Sequence, residues 1–461
     1  MSKQFIIVGG GPAATNAMET IRQYDTESTI TLVSDEPTHS RMALPYWLSN
    51  QIPREQTHTG DDAYFQKLNV NARIGQRVSH IDDRQQTIQL DSGDTLDFDA
   101  LLIATGSSPL PLPVSGADLP GVHHLWTLAD TEQVLNSAQD LKQPEVVMIG
   151  AGFIGLIVLN AMHKRDWKLT VIERDMQVLP RMLDRQAAGI AGTWLAEQEV
   201  DVLTDANVTA IETDDQGKKR VLLDGGATVS ADIVIIATGV RPNRSIVDGT
   251  SVDVDQGILV DHHLRTNVPS IYAAGDVAQG PVRFSDAREI HAIQPTAVDH
   301  GRIAGANMAG QEIEFKGSLA MNVLDVCGLQ CASFGHWDDL SAEAMTIENT
   351  QDSIYRCLRW TNDQLTGAIF VGRANDMGML TDVGMAKGLI QTGVHLGEWK
   401  NHLRDNPFDI RRVFVAKKVP HLLMQETLLG SPAKARQFRY QQAPAQHQPG
   451  GSHDIYVRSQ P

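Results

Sequence analysis

Two glycine turns, each leaving a short apolar run, restrict this chain more than any other feature. The first lies in "KQFIIVGGGPAATNAMETIR" (3–22) and the second in "PEVVMIGAGFIGLIVLNAM" (144–162). An apolar run, a glycine turn and a helix-like stretch read as a strand–turn–helix whose backbone closes on a pyrophosphate. Gly9 and Gly11 hold the first two glycine places, with Ala13 and Ala14 following. Ala14 takes the third place, which tolerates alanine. Gly150, Gly152 and Gly155 fill all three in the second turn, with Ile154 between the last two. The helix after each turn offers unpaired N–H groups and the positive end of its dipole to phosphate. The strand after the first turn ends on Asp35, 24 residues beyond Gly11, and the strand after the second ends on Glu173, 21 beyond Gly152. Both spacings fit a carboxylate that accepts hydrogen bonds from ribose hydroxyls.

A second element also occurs twice. "FDALLIATGSSPLPLP" (98–113) and "ADIVIIATGVRPN" (231–243) are each an acidic start, a buried-type strand and Ala-Thr-Gly. Ala104, Thr105 and Gly106 in the first copy, and Gly239 in the second, stand where ligands sit in open α/β sheets. The chain therefore holds two similar nucleotide-binding units, an internal repeat that makes it an α/β protein. "NVPSIYAAGDVAQG" (267–280) adds Asp276, able to accept hydrogen bonds from polyol hydroxyls; on its own, Gly-Asp also suits a plain capped turn.

A length of 461 residues suggests two to four domains. The net charge of −17 argues against a general nucleic-acid surface. Three cysteines are too few for a disulfide framework, no apolar run is long enough to span a bilayer, and the amino terminus lacks a secretory pattern. A cytoplasmic setting is expected. The histidine pairs His123–His124 and His262–His263 lack a second ligand cluster, so no metal site is read. From Arg411 onward, eight Lys and Arg face two acids, a local excess of +6 that leaves −23 on the rest.

The motifs "VGGGPAA", "LIATGSSP", "IGAGFIG", "VIERDMQVLPRMLD", "IIATGVRPN" and "IYAAGDVA", in that order, resemble the pyridine-nucleotide-disulfide oxidoreductase superfamily. Within it the chain is most similar to the rubredoxin and ferredoxin reductases and the NADH-oxidising module of assimilatory nitrite reductase. The resemblance covers residues 1 to about 310 and extends plausibly to about 410. It implies two Rossmann-like domains, an FAD domain (1–112 and 244–313) with an inserted NAD domain (113–243). An α+β interface domain (314–410), often dimeric, and a basic, partly mobile tail (411–461) would follow. By resemblance, Gly9, Gly11, Ala13 and Ala14 cradle the FAD pyrophosphate and Asp35 its ribose. Val78 meets the adenine, Asp276 the ribityl chain, and Thr296 and Ala297 the flavin ring, while the second turn takes NADH. Glu173 disfavours the 2′-phosphate of NADPH, although Arg174 beside it could accommodate one.

"HSRMALPYWL" (39–48) is the segment where relatives carry reactive groups. The disulfide branch has a cysteine where this chain has Met42, which forms no thiolate. The ferredoxin-reductase branch has Arg-x-x-Leu-Ser-Lys. Here Arg41 and Leu44 match, but Tyr46 replaces the lysine and Ile157 the glutamate that pairs with it. Losing both together is what burial would demand, because one unpaired buried charge is costly. No residue is therefore assigned as catalytic, and the surround should be apolar, with either Tyr46 or Trp47 packed near the flavin or Trp47 serving as plain core filling. Cys327 and Cys331, on a strand-like run, read as small buried residues rather than a redox pair. A helix is expected near 382–404. The expected activity is FAD-dependent transfer of electrons from NADH to a small carrier of rubredoxin or ferredoxin type, docked by the basic tail. The alternatives are an NADH oxidase, a disulfide-reductase-like enzyme and a flavin-binding regulator without turnover.

Overall fold

The computed structural model describes residues 2–427 and residue 429. In the first lobe, five parallel strands run in the order Ile271–Ala273, Ala100–Ile103, Gln4–Val8, Thr29–Ser34, Val70–Ile74. Phe5 to Val8 are all buried, as expected of a parallel strand covered on both faces. The helix Pro12–Tyr24 leaves the first glycine turn with proline in its first turn, where no backbone donor is lost. It packs against Gln294–Met308 so closely that a Cβ on Gly301 would come 2.1 Å from the Ala13 carbonyl oxygen.

The second lobe repeats the plan. Its parallel strands run Asp201–Leu203, Lys168–Ile172, Glu145–Ile149, Ile233–Ile236, Val122–His123. The chain leaves the first lobe through Ser107–Pro109 and returns through Val240–Pro242, and these two segments pair antiparallel. Asn243 clamps the crossing. Its side-chain amide donates to the Thr105 carbonyl (2.9 Å), and its side-chain oxygen accepts from the Ser108 hydroxyl (2.8 Å).

The third lobe is an antiparallel sheet in the order Met321–Val326, Leu329–Gly335, Gln364–Arg373, Ile354–Thr361, Glu343–Asn349. One face packs on the helix Met377–Thr392. The other joins the second-lobe core, where Leu324, Leu329, Cys331, Tyr355 and Val371 are buried with Leu183, Ala187 and Ile190. Leu44 and Leu48, from the first-lobe segment, are sealed into the same core.

Two expectations for this region are corrected. In place of one helix near 382–404 there are two, Met377–Thr392 and Trp399–Asp405. Gly393, at φ 59°, ends the first in the left-handed conformation that glycine adopts without strain. The boundary expected at 410 cuts folded structure. Helices Ile410–Ala416 and Val419–Thr427 bury Val413 and Val419 in the third-lobe core, so Arg411, Arg412, Lys417 and Lys418 lie on the surface of that lobe rather than on a separate tail. The remaining basic residues, Lys434, Arg436, Arg439 and Arg458, lie outside the described residues. Among the described residues no helix is long and apolar enough to cross a membrane.

Candidate functional site

Both glycine turns open onto one cleft of about 1890 Å³ between the first and second lobes. Pockets for a single drug-sized ligand run to roughly 1,000 Å³, so this one has room for two dinucleotides. On the first-lobe side the wall includes Gly9, Gly11, Ala13, Asp35, Arg41, Val78, Ala104, Thr105, Gly106, Asp276 and Ala297. Gly150, Gly152, Ile154, Glu173 and Gly239 face them from the second. Three expected residues stand behind the wall. Ala14 and Thr296 are buried. Gly155 lets helix and strand close up, since a Cβ there would lie 2.5 Å from the Gly150 carbonyl oxygen.

The turns themselves fit phosphate groups. Gly9 (φ 105°) and Gly150 (φ 106°) hold conformations that L side chains rarely adopt, and a Cβ would strike the Ala104 and Ala237 carbonyls at 2.3 and 2.5 Å. At Gly11 and Gly152, by contrast, a Cβ would project into open space. Each of these glycines caps the following helix with no side chain, leaving the helix N–H groups for a ligand. The first-lobe wall also carries two buried side-chain atoms without hydrogen-bond partners, His39 Nε2 and Gln76 Oε1. His39 Nδ1 donates to the Pro37 carbonyl at 2.9 Å, which leaves Nε2 an acceptor. Both orphans therefore await donors such as hydroxyl or amine groups. These features fit a dinucleotide bound along this wall.

The acids divide unevenly. Asp35 is half exposed, and its carboxylate is held by Arg77 at 2.6 Å. Glu36, which spacing alone does not distinguish from its neighbour, is the more buried of the two and lies 3.7 Å from Arg41. Burial pushes the Glu36 carboxyl above its ordinary range, and Arg41 opposes that rise. Glu173 is buried and grips its own glycine turn. One carboxylate oxygen accepts from the Ala151 N–H (2.6 Å) and the other from the Asp175 N–H (3.0 Å). Each oxygen keeps a free lone pair for a hydroxyl. Arg174 is 71% exposed beside it.

The segment 39–48 proves to be a tether. Its helix Leu44–Leu48 plugs Leu44 and Leu48 into the second-lobe core, and Arg165 donates to the Leu48 carbonyl at 2.9 Å. Burying two leucines is worth about 1.5–3 kcal/mol each. Of the two readings for the aromatics, core filling holds for Trp47, which packs against the second-lobe core, whereas Tyr46 is 50% exposed and off the cleft wall. Met42, Pro45, Phe153 and Ile157 do line the cleft, joined by Met321, Asn322 and Val323 from the third lobe. That contribution has no signature in the sequence, because only tertiary packing brings the strand to the cleft. Within this group there is no lysine, carboxylate or thiol.

All three cysteines are buried. Cys327 sits in a hairpin turn (φ 50°) rather than on a strand, and burial pushes its thiol up to about 12. Burial drives the Cys331 thiol up as well. Neither supplies a thiolate near neutral pH.

The model of the pyridine nucleotide-disulphide oxidoreductase family matches residues 3–301, and that of the rubredoxin NAD+ reductase C-terminal domain matches 321–383. The chain is 32% identical over 315 residues to rhodocoxin reductase of Rhodococcus erythropolis, covering 68% of this chain and 73% of that protein. It is 30% identical over 336 residues to the epsilon subunit of the NADH-dependent phenylglyoxylate dehydrogenase of Aromatoleum evansii, covering 72% and 79%. Among solved structures it is similar to an NAD-dependent persulfide reductase from A. fulgidus, with a TM-score of 0.78, 27% identity, and coverage of 86% and 78%. The chain belongs to the pyridine nucleotide-disulphide oxidoreductase family, as an NAD(P)H-dependent enzyme that uses FAD and NADH.

Proposed function

We propose that the enzyme oxidises NADH at its FAD and hands the electrons to a separate small redox protein. One observation carries this reading: two phosphate-binding turns face each other across a single cleft whose lining, among the described residues, includes no cysteine and no lysine. When bound, the flavin ring supplies the redox chemistry, accepting hydride from the nicotinamide. The chain's own residues bind, orient and exclude water. The turn Gly9–Gly11 and the helix start at Pro12 hold the FAD pyrophosphate, with Glu36 and Asp35 toward its ribose, Val78 toward its adenine and Asp276 toward its ribityl chain. Gly150 and Gly152 hold the NADH pyrophosphate, and Glu173 its ribose. Met42, Pro45, Phe153 and Ile157 form an apolar wall between them.

A carrier protein as acceptor is supported by the match to the rubredoxin NAD+ reductase C-terminal domain and by the name rhodocoxin reductase. A disulfide acceptor would need a nucleophilic thiol, and all three thiols are buried. In this reading residues 1–112 with 244–313 form the FAD domain, 113–243 the NAD domain, and 314 onward the third domain. A homodimer, resting on the family resemblance, and a cytoplasmic setting, resting on the cysteine count and the lack of a secretory pattern, complete it. Anaerobic stopped-flow mixing of FAD-loaded protein with NADH should bleach the flavin within the turnover time, and added rubredoxin or ferredoxin should restore the colour. Protein that binds FAD but stays yellow with NADH would overturn the proposal.

A further inference from the structure

Between the two turns a hydrogen-bonded relay crosses from the second lobe to the first. Trp126, which lines the cleft, donates its indole N–H to the Ser107 carbonyl at 2.7 Å. Ser107 lies on the outgoing crossover segment, 1% exposed, and its hydroxyl donates to Asp276 Oδ2 at 2.7 Å. That bond occupies one oxygen of Asp276 and fixes the plane of the carboxylate, leaving Oδ1 for a ligand.

The indole is itself held on two sides. Its backbone N–H and that of Thr127 donate to Asp130 Oδ2 (3.0 and 2.8 Å), within a capping box that starts the helix Leu128–Ser137. The Arg41 guanidinium stacks 4.7 Å from the indole centroid while lying 3.7 Å from Glu36. A partly buried aromatic needs no such bracing to fill space, and a cation over its face adds orientation as well as packing.

We infer that Trp126 is a positioning residue for the FAD site, acting from the NADH-side lobe through Ser107 on Asp276. The inference rests on the assignment of Asp276 to bound FAD. Its content is that the second lobe sets the affinity of the first lobe's cofactor. A carboxylate held in one orientation loses no further freedom when a polyol binds, and a loosened one does.

The test is titration of FAD into apo-protein, followed by flavin fluorescence, for Trp126→Phe, Ser107→Ala, the double variant and Asp276→Ala. Visible circular dichroism of the bound flavin reports its seating, and apo-protein melting reports the fold. Trp126→Phe keeps a ring under Arg41 but loses the donor, so FAD should bind about fivefold more weakly; Ser107→Ala should cost about tenfold, typical of one hydrogen bond to a charged group. Because both act through one hydroxyl, the double variant should bind no worse than Ser107→Ala alone. The flavin dichroism should change in all three, with apo-protein melting unaltered. Wild-type affinity in Trp126→Phe, or losses that multiply in the double variant, would overturn the inference. If Trp126→Phe lowers the melting temperature, Ser107→Ala, which leaves the indole in place, decides: wild-type affinity there also overturns it. Asp276→Ala separates the two levels. Wild-type affinity in that variant would remove the Asp276 assignment itself, whereas a weakened Asp276→Ala beside an unaffected Trp126→Phe would remove only the relay.

Discussion

His39 allows a quantitative test of how the first-lobe wall behaves with pH. The ring is 4% exposed, and burial holds its pKa at about 4, below the ordinary 6.5; the Pro37 carbonyl offsets part of that and Arg41 adds to it. The folded-state value lies below the unfolded one, so the unfolded chain takes up the proton first. Stability is then lost as pH falls through the window from 6.5 to about 4. Integrated over that window the loss is about 3 kcal/mol, of which about 2 kcal/mol has accrued by pH 5. His300, buried on the helix Gln294–Met308, is depressed to about 3 by the same cause and steepens the decline in parallel. A single pH profile would not separate them, and a difference of differences does. His39→Asn does not titrate, yet its amide can still donate to the Pro37 carbonyl. Urea unfolding of apo-protein at pH 8 and pH 5 should show wild type losing about 2 kcal/mol more than His39→Asn between the two. Equal losses, at unchanged m-values, would refute the claim that this ring is held neutral by burial.

Replacing Glu173 with Ala should weaken NADH binding by about 1–3 kcal/mol, the range for hydrogen bonds to a charged group, while flavin content stays constant; equal use of NADPH by the unaltered enzyme would show the ribose reading wrong. Changing Cys327, Cys331 and Cys357 together to Ala should lower the melting temperature but leave NADH-to-ferricyanide turnover per bound flavin intact, and loss of that turnover in folded, yellow protein would point to a thiol step. Removal of residues 430–461 should slow carrier reduction at low salt and spare ferricyanide reduction if the basic end docks an acidic carrier. A cut after Ile410 cannot ask that question, because it also strips Val413 and Val419 from the third-lobe core.

The features legible in the sequence were those enforced by backbone chemistry within a few residues. Gly9 and Gly150 are readable because no other residue tolerates their φ and their contact with a neighbouring carbonyl. The repeated Ala-Thr-Gly and the terminal acid at Glu173 follow from the same local geometry. The ion-pair partners of Asp35 and Glu36 are not readable in the sequence, since Arg77 and Arg41, at 2.6 and 3.7 Å, reach them through tertiary contacts. Nor was Trp126, whose partners Ser107 and Arg41 come from other segments. Apolar character around 44–48 was visible, but whether those leucines faced the cofactor or a second core depended on the facing helix Phe153–His163 and its neighbours. The helix break at Gly393 is marked in the sequence by a glycine alone, and its left-handed φ is visible only in the structure.

That shared second-lobe core bears on protein engineering. Repeated nucleotide-binding lobes invite exchange between relatives, to alter coenzyme preference or potential. Here the lobe is not a cassette that ends at its two crossover segments. Leu44 and Leu48 reach it from before the first crossover, and Leu324, Leu329, Tyr355 and Val371 reach it from after the second. A chimera joined only at Ser107–Pro109 and Val240–Pro242 would leave those side chains facing a foreign surface. Grafts of this lobe should succeed only when the short helix 44–48 and the facing sheet of the third lobe travel with it.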